Sequence, residues 1–188
     1  WVALAARLGG GGGGGGAGAA QDSAGEQFDV VDECNRVCGR ASRGEVHARG
    51  LRHRSVHVLI ENARGEIFLQ KRSVWKDAHP GRWDSSAAGH LDAGESYAAA
   101  AAREVGEELG VRAELRKIGE IAASERTGWE FVEVFRGRHD GPFRLPPSEI
   151  ECGEFFPREL LDQWLRVSPG DFAPGFIESF GRYREGAG

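Results

Sequence analysis

Three acids, Glu104, Glu107 and Glu108, fall within about one helical turn in the stretch GHLDAGESYAAAAAREVGEELGV, residues Gly89 to Val111. Carboxylates three and four residues apart on a helix are neighbours and repel one another. A solvated helix surface would account for them. So would a site for divalent cations, since magnesium and manganese prefer hard oxygen ligands. Such ions neutralise a polyphosphate and activate water for in-line attack at phosphorus, and a carboxylate beside them can take the water's proton. The acidic face is unfavourable when empty and sensible when it holds cations. Arg103, four residues before Glu107, is placed to orient a carboxylate through charge-assisted hydrogen bonds.

The elements around these acids must hold them in place. At about 100° per residue, Ala98, Ala101, Ala102, Val105 and Leu109 fall on one arc and the three glutamates on the adjoining one. The spacing therefore predicts a helix over Ser96–Leu109, packed on a sheet, with its acids facing a cleft. Gly110 supplies the left-handed position that ends it. Before the helix, FDVVDE and Val37–Gly39 read as short strands, SRGEVHARG as a helical turn capped by Ser42, and HRSVHVLIEN and IFLQKRS as strands joined by a hairpin at ARGE. Pro80-Gly81 sets VWKDAHPGRWDSSAAGH as a loop. After the helix come two strands joined near Thr127-Gly128, a last strand within PFRLPPSEIECGEFFP, and amphipathic helices in RELLDQWL and PGFIESFGRYRE. Strands on both sides of one central helix, with more helix at the end, predict an α/β fold with a mixed sheet between helices.

Composition sets the outer bounds. A chain of 188 residues, 40% hydrophobic and 28% charged, is long enough for one domain with a core. The net charge of -5 speaks against nucleic acid as a partner, yet allows an anionic small molecule where a metal inverts the local field. No apolar run reaches the roughly 18 residues of a membrane span. Cys34, Cys38 and Cys152 read as reduced thiols, which points to the cytoplasm. The Gly/Ala-rich segment 1–27 has no apolar pattern to bury and is expected to be a disordered tail ahead of one domain over 28–188. The chain starts at Trp1 and lacks methionine, so it reads as a fragment or processed form. A transit-peptide remnant is the rival account of its start, and would send the protein to a plastid or mitochondrion.

The stretch from Gly89 to Val111 resembles the Nudix box, G-x5-E-x7-R-E-U-x-E-E-x-G-U with U aliphatic, at every specified position. Those positions are Gly89, Glu95, Arg103, Glu104, Val105, Glu107, Glu108, Gly110 and Val111. The resemblance implies a Nudix-type α/β/α sandwich whose box forms a loop–helix–loop. It also implies magnesium- or manganese-dependent hydrolysis of a diphosphate linked to a further moiety. It makes Glu104, Glu107 and Glu108 metal ligands, with the carbonyl of Gly89 as another, and Glu104 the first choice of general base. Glu95 and Arg103 become supports for the helix, and Glu149 in PSEIEC resembles an acid that some members place opposite the box.

Beyond the box, Phe28 to Tyr183 is similar to the Nudix branch near type 1 isopentenyl diphosphate isomerase. In that branch a cysteine just before the box histidine moves a proton at carbon; WDSSAAGH puts Ala88 there, and an alanine cannot. His47, His53 and His90 fall near positions where isomerases hold a metal through imidazoles. Imidazole favours softer transition metals, while solvated or hydrogen-bonded histidines are the plain alternative. Trp75 and Trp83 are either packing residues or platforms for stacking. Lys71, Arg72 and Lys76 are either solvated or the cationic side of a phosphate site, and the last two helices are core cover or a homodimer seam. The expectation is a metal-dependent pyrophosphohydrolase of a small-molecule diphosphate, either a nucleoside diphosphate derivative or an isoprenoid diphosphate. An isomerase-like enzyme and a non-catalytic diphosphate sensor are its rivals.

Overall fold

A computed structural model describes residues 26–76 and 78–186. Segment 1–25 lies outside the described residues, so the expectation of a disordered tail is not addressed. The chain forms β1 (Gln27–Val31), β2 (Val37–Ser42), α1 (Arg43–Arg49), β3 (His53–Glu61), β4 (Ile67–Arg72), β5 (Trp83–Asp84), β6 (Ala87–His90) and α2 (Tyr97–Leu109). Then follow β7 (Arg116–Ile121), β8 (Glu130–Arg138), β9 (Ile150–Phe156), α3 (Arg158–Val167) and α4 (Pro174–Gly186).

Seven strands make one mixed sheet in the order β5-β4-β3-β8-β7, with β6 also paired to β3 and β9 to β4; β1 and β2 form a separate antiparallel pair. The central pair β3–β8 is parallel, from His53 opposite Glu130 to Glu61 opposite Arg138. Parallel neighbours need a long crossover, and here residues 62–129, α2 among them, supply it.

Alternation along β3 builds both layers. Val56, Val58 and Ile60 pack with Ala100, Ala101, Val105 and Leu109 of α2. Leu59, from the opposite face, packs with Leu161 of α3 and Phe172, Phe176 and Phe180 around α4. Each such fully buried large side chain contributes about 1.5–3 kcal/mol. Helix layers on both faces make the α/β/α sandwich predicted from the sequence. At the far end of β3, buried Glu61 accepts hydrogen bonds from the Tyr183 hydroxyl and from Arg136, which ties α4 to the sheet.

Two local expectations are corrected. Residues 83–90 are not all loop: β5 and β6 lie there, paired to β4 and β3. The buried arc of α2 is also rotated from the one predicted. Ala98 and Ala102 are exposed, whereas Ala100, Ala101, Glu104, Val105, Glu108 and Leu109 are buried. The contact with β6 decides this, because it draws Glu104 and Glu108 inward and leaves Glu107 outside. Trp83 packs edge-on against Phe156 and Trp164, while Trp75 is exposed. Among the described residues, no helix is long and apolar enough to cross a membrane.

Candidate active site

Local signals set α2 in place. The Ser96 side chain accepts from the Ala99 amide at 3.3 Å, and Gly110 closes the helix at φ 69°, as a serine N-cap and a left-handed glycine should. The loop leading in is pinned to β1: the Ala93 amide donates to the Gln27 carbonyl and the Gly94 amide to Asp29 Oδ2, both at 2.8 Å.

Arg103 organises the acids. Its Nε and one terminal nitrogen grip both oxygens of Glu95 at 3.0 and 2.9 Å. It also donates to Glu104 Oε1 at 2.7 Å, to Glu107 Oε2 at 3.2 Å and to the His90 carbonyl at 3.0 Å. Glu95 in turn accepts from the Asp92 amide at 3.0 Å. A planar guanidinium suits this task because its donors form a fixed fork.

The glutamates then take different environments. Glu108, 9% exposed, accepts from Gln70 Nε2 at 2.8 Å and from the Ala88 amide at 3.0 Å. Burial, with the charge of Glu104 beside it, pushes its carboxyl up to about 8. Burial likewise lifts Glu104 to about 7, against the opposing pull of Arg103. The Glu107 side chain is 61% exposed. Glu104 lies on the backbone of β6: a Cβ at Gly89 would sit 1.9 Å from Glu104 Oε1, so a larger residue there would have to push the Glu104 carboxylate aside. Two buried carboxylates side by side are hard to ionise, and a cation placed between them would favour their charged forms.

A cavity of about 920 Å³ joins these acids to Glu149, Arg72, Lys76, His57 and Ala88. The structure thus brings Gly89, Arg103, Glu104, Glu107, Glu108 and Glu149 to one opening, with Glu149 held in an ion pair by Lys76. Lys71 instead pairs with Glu151 at 3.1 Å. Ala88, paired with His57 across β6 and β3, leaves no acid–base group at its place.

A second set of donors borders the same cavity. The ligand atoms of His47, His53, His90 and Glu130 all lie within 4.8 Å of one another. His53 Nδ1 lies 2.9 Å from the Leu51 carbonyl, and its buried Nε2 has no hydrogen-bond partner. A proton on Nδ1 leaves the Nε2 lone pair aimed into the cluster, the tautomer a metal requires. Burial and the neighbouring His90 and His53 push His47 down to about 4, so it stays neutral. Burial opposes ionisation of Glu130, but the His53 ring, 3.7 Å away, and the His90 ring, 3.1 Å away, hold it well below the usual carboxylate range. Three imidazoles and a carboxylate fit a transition metal better than magnesium. Glu130 had no signal in the sequence; it arrives through its register opposite His53. Trp129 turns the chain into that register with φ 67°, its ring 3.2 Å from where a Cβ on Gly50 would lie.

Comparison with known proteins agrees with this geometry. The model of the NUDIX domain matches residues 51–176. A Nudix hydrolase of Pseudomonas aeruginosa, PA4841, is 38% identical over 166 residues, 88% of this chain and 96% of that one. Isopentenyl-diphosphate Delta-isomerase 2 of Photorhabdus laumondii is 33% identical over 116 residues, 59% of this chain and 66% of its own length. The crystal structure of DR0079 from Deinococcus radiodurans superposes with a TM-score of 0.72 at 28% identity, covering 85% of this chain and 98% of that one. The matched segment holds the complete acid set of α2 and the sheet that carries it: the chain belongs to the Nudix hydrolase family.

Proposed function

We propose that the protein is a magnesium- or manganese-dependent pyrophosphohydrolase that cleaves the diphosphate linkage of a small molecule. The observation that carries this reading is the juxtaposition of buried Glu104 and Glu108 with Glu107 and Glu149 around one cavity. Glu104, Glu107, Glu108, Glu149 and the Gly89 carbonyl would hold the ions. Bound there, the ions would neutralise the diphosphate and activate water. Glu104 is the general base of this reading, since burial brings its carboxyl near neutrality, where a base works best. Arg103 keeps Glu104 and Glu107 in register and Glu95 keeps Arg103 in place. Arg72 and Lys76 give the cavity its cationic side.

The test is a panel of diphosphate compounds assayed with magnesium and with manganese, following the two phosphorylated products. Hydrolysis of at least one compound, lost when the metal is chelated, is the expected result. Binding without product would favour a sensor. Isomerase chemistry is the second reading, favoured by the imidazole cluster and the Photorhabdus laumondii relative and opposed by Ala88. Deuterium entering the carbon skeleton of isopentenyl diphosphate in deuterated water would establish it.

A further inference from the structure

Two cations already stand among the acids, and they differ in how firmly they are held. Arg103 belongs to α2 and spends its guanidinium on three carboxylates and a carbonyl. Lys76 reaches in from the segment between β4 and β5, and its side chain forms an ion pair with Glu149 Oε2 among the described residues. Its backbone stays anchored whatever the side chain does: the Lys76 amide donates to the Ser73 carbonyl at 3.2 Å, and the Ser73 amide to the Glu149 carbonyl at 2.9 Å. The Lys76 charge also reaches Glu108, whose ionised form it favours. An ammonium is a compact point charge on a flexible four-carbon stem, easily moved where a forked guanidinium is not.

We propose that Lys76 is a tethered stand-in cation: its ammonium occupies Glu149 until a divalent ion arrives, and is displaced into the cavity when one does. This rests on the reading that the acids hold divalent ions. Glu149 ligates a dication less favourably while an ammonium stays in contact with it, because the two positive charges repel at close range. Lys76 is therefore a positioning residue for the acid cluster: it lowers the repulsion of the empty site and gives Glu149 up when the site fills. The released ammonium remains inside the cavity, where it faces whatever anion follows the metal.

The sequence makes this directly measurable, since the chain contains three lysines, Lys71, Lys76 and Lys117. Lys71 and Lys117 are paired to Glu151 and to Glu120 and Glu133, away from the acids of α2, and serve as internal references. The experiment labels the whole chain with an amine-acylating reagent and reads each lysine by mass spectrometry, without metal and with saturating Mg2+. Acylation of Lys76 should accelerate with Mg2+ relative to the two references. Calorimetry should show that Lys76→Gln binds Mg2+ roughly threefold or more tightly than the wild type, one competing charge being gone. If the wild type takes up Mg2+ while Lys76 labelling does not accelerate, or if Lys76→Gln binds Mg2+ no more tightly, the stand-in role is overturned and the metal site survives. If the wild type takes up neither Mg2+ nor Mn2+, the functional reading falls and this inference with it.

Discussion

Glu108→Gln should make the metal-free protein more stable. Burial lifts the Glu108 carboxyl from an ordinary 4.5 to about 8, so the folded state resists its ionisation while the unfolded chain does not. The folded value lies above the unfolded one. This contribution to stability is therefore complete below pH 4.5 and is lost as the pH rises through about 8. At pH 7, about 2.5 pH units above the unfolded value, the cost is on the order of 3 kcal/mol at ~1.36 kcal/mol per unit. Water penetration and local relaxation reduce the measurable part to about 1–3 kcal/mol. A glutamine carbonyl can keep both hydrogen bonds, from Gln70 Nε2 and the Ala88 amide, and carries no charge to bury. Urea unfolding in EDTA at pH 5 and pH 8 is the assay. The wild type should lose about 1–3 kcal/mol relative to the variant between those two conditions. Added Mg2+ should restore the wild type through mass action on the folded state and do less for the variant. A variant less stable than the wild type in EDTA at pH 8 would refute the reasoning, because Glu108 would then be a structural acceptor and not a strained ligand.

Three further outcomes are expected. Glu107→Gln, at an exposed side chain, should cut turnover by about 10²-fold or more and leave the urea midpoint unchanged; near-normal turnover on every diphosphate tested would remove Glu107 from the catalytic set. Gly89→Ala would bring a methyl to 1.9 Å from Glu104 Oε1, so the carboxylate must swing aside and Mn2+ binding should weaken; a variant with wild-type Mn2+ affinity would show that the seat of Glu104 on Gly89 does not matter to the metal. His53→Ala should abolish the absorption bands of tetrahedral Co2+ added to the protein, and bands that persist would separate His53 from the imidazole centre.

The box was legible because its acids, their arginine and the caps of their helix are close neighbours in the sequence, where spacing alone places them. The orientation of α2 was less so. An arc of alanines predicts a packing face, but Ala98 and Ala102 lie outside because the seat of Glu104 on Gly89 and the bonds of Glu108 to β6 fix the rotation. The strands in GRWDSSAAGH gave no alternation to read. Their small and polar residues are satisfied instead by specific partners: Ser86 bridges the Phe68 carbonyl and the Ile60 amide, and Ser85 meets His57. Three histidines could be singled out in the sequence, yet Glu130 could not, since only the register of a parallel pair distant along the chain brings it to them.

That parallel seam has a bearing on how the protein comes into being. Once a ribosome has passed Glu108, the acids of α2 and the three imidazoles already exist, but the strand that supplies Glu130 and the centre of the sheet has not emerged. The imidazole set is not finished until that late strand slides in beside β3, and contacts between such remote segments form slowly. A newborn chain thus passes through a stage with bare acids, unclaimed imidazoles and an open strand edge, when scavenging of the wrong ion or pairing with a neighbour is easiest.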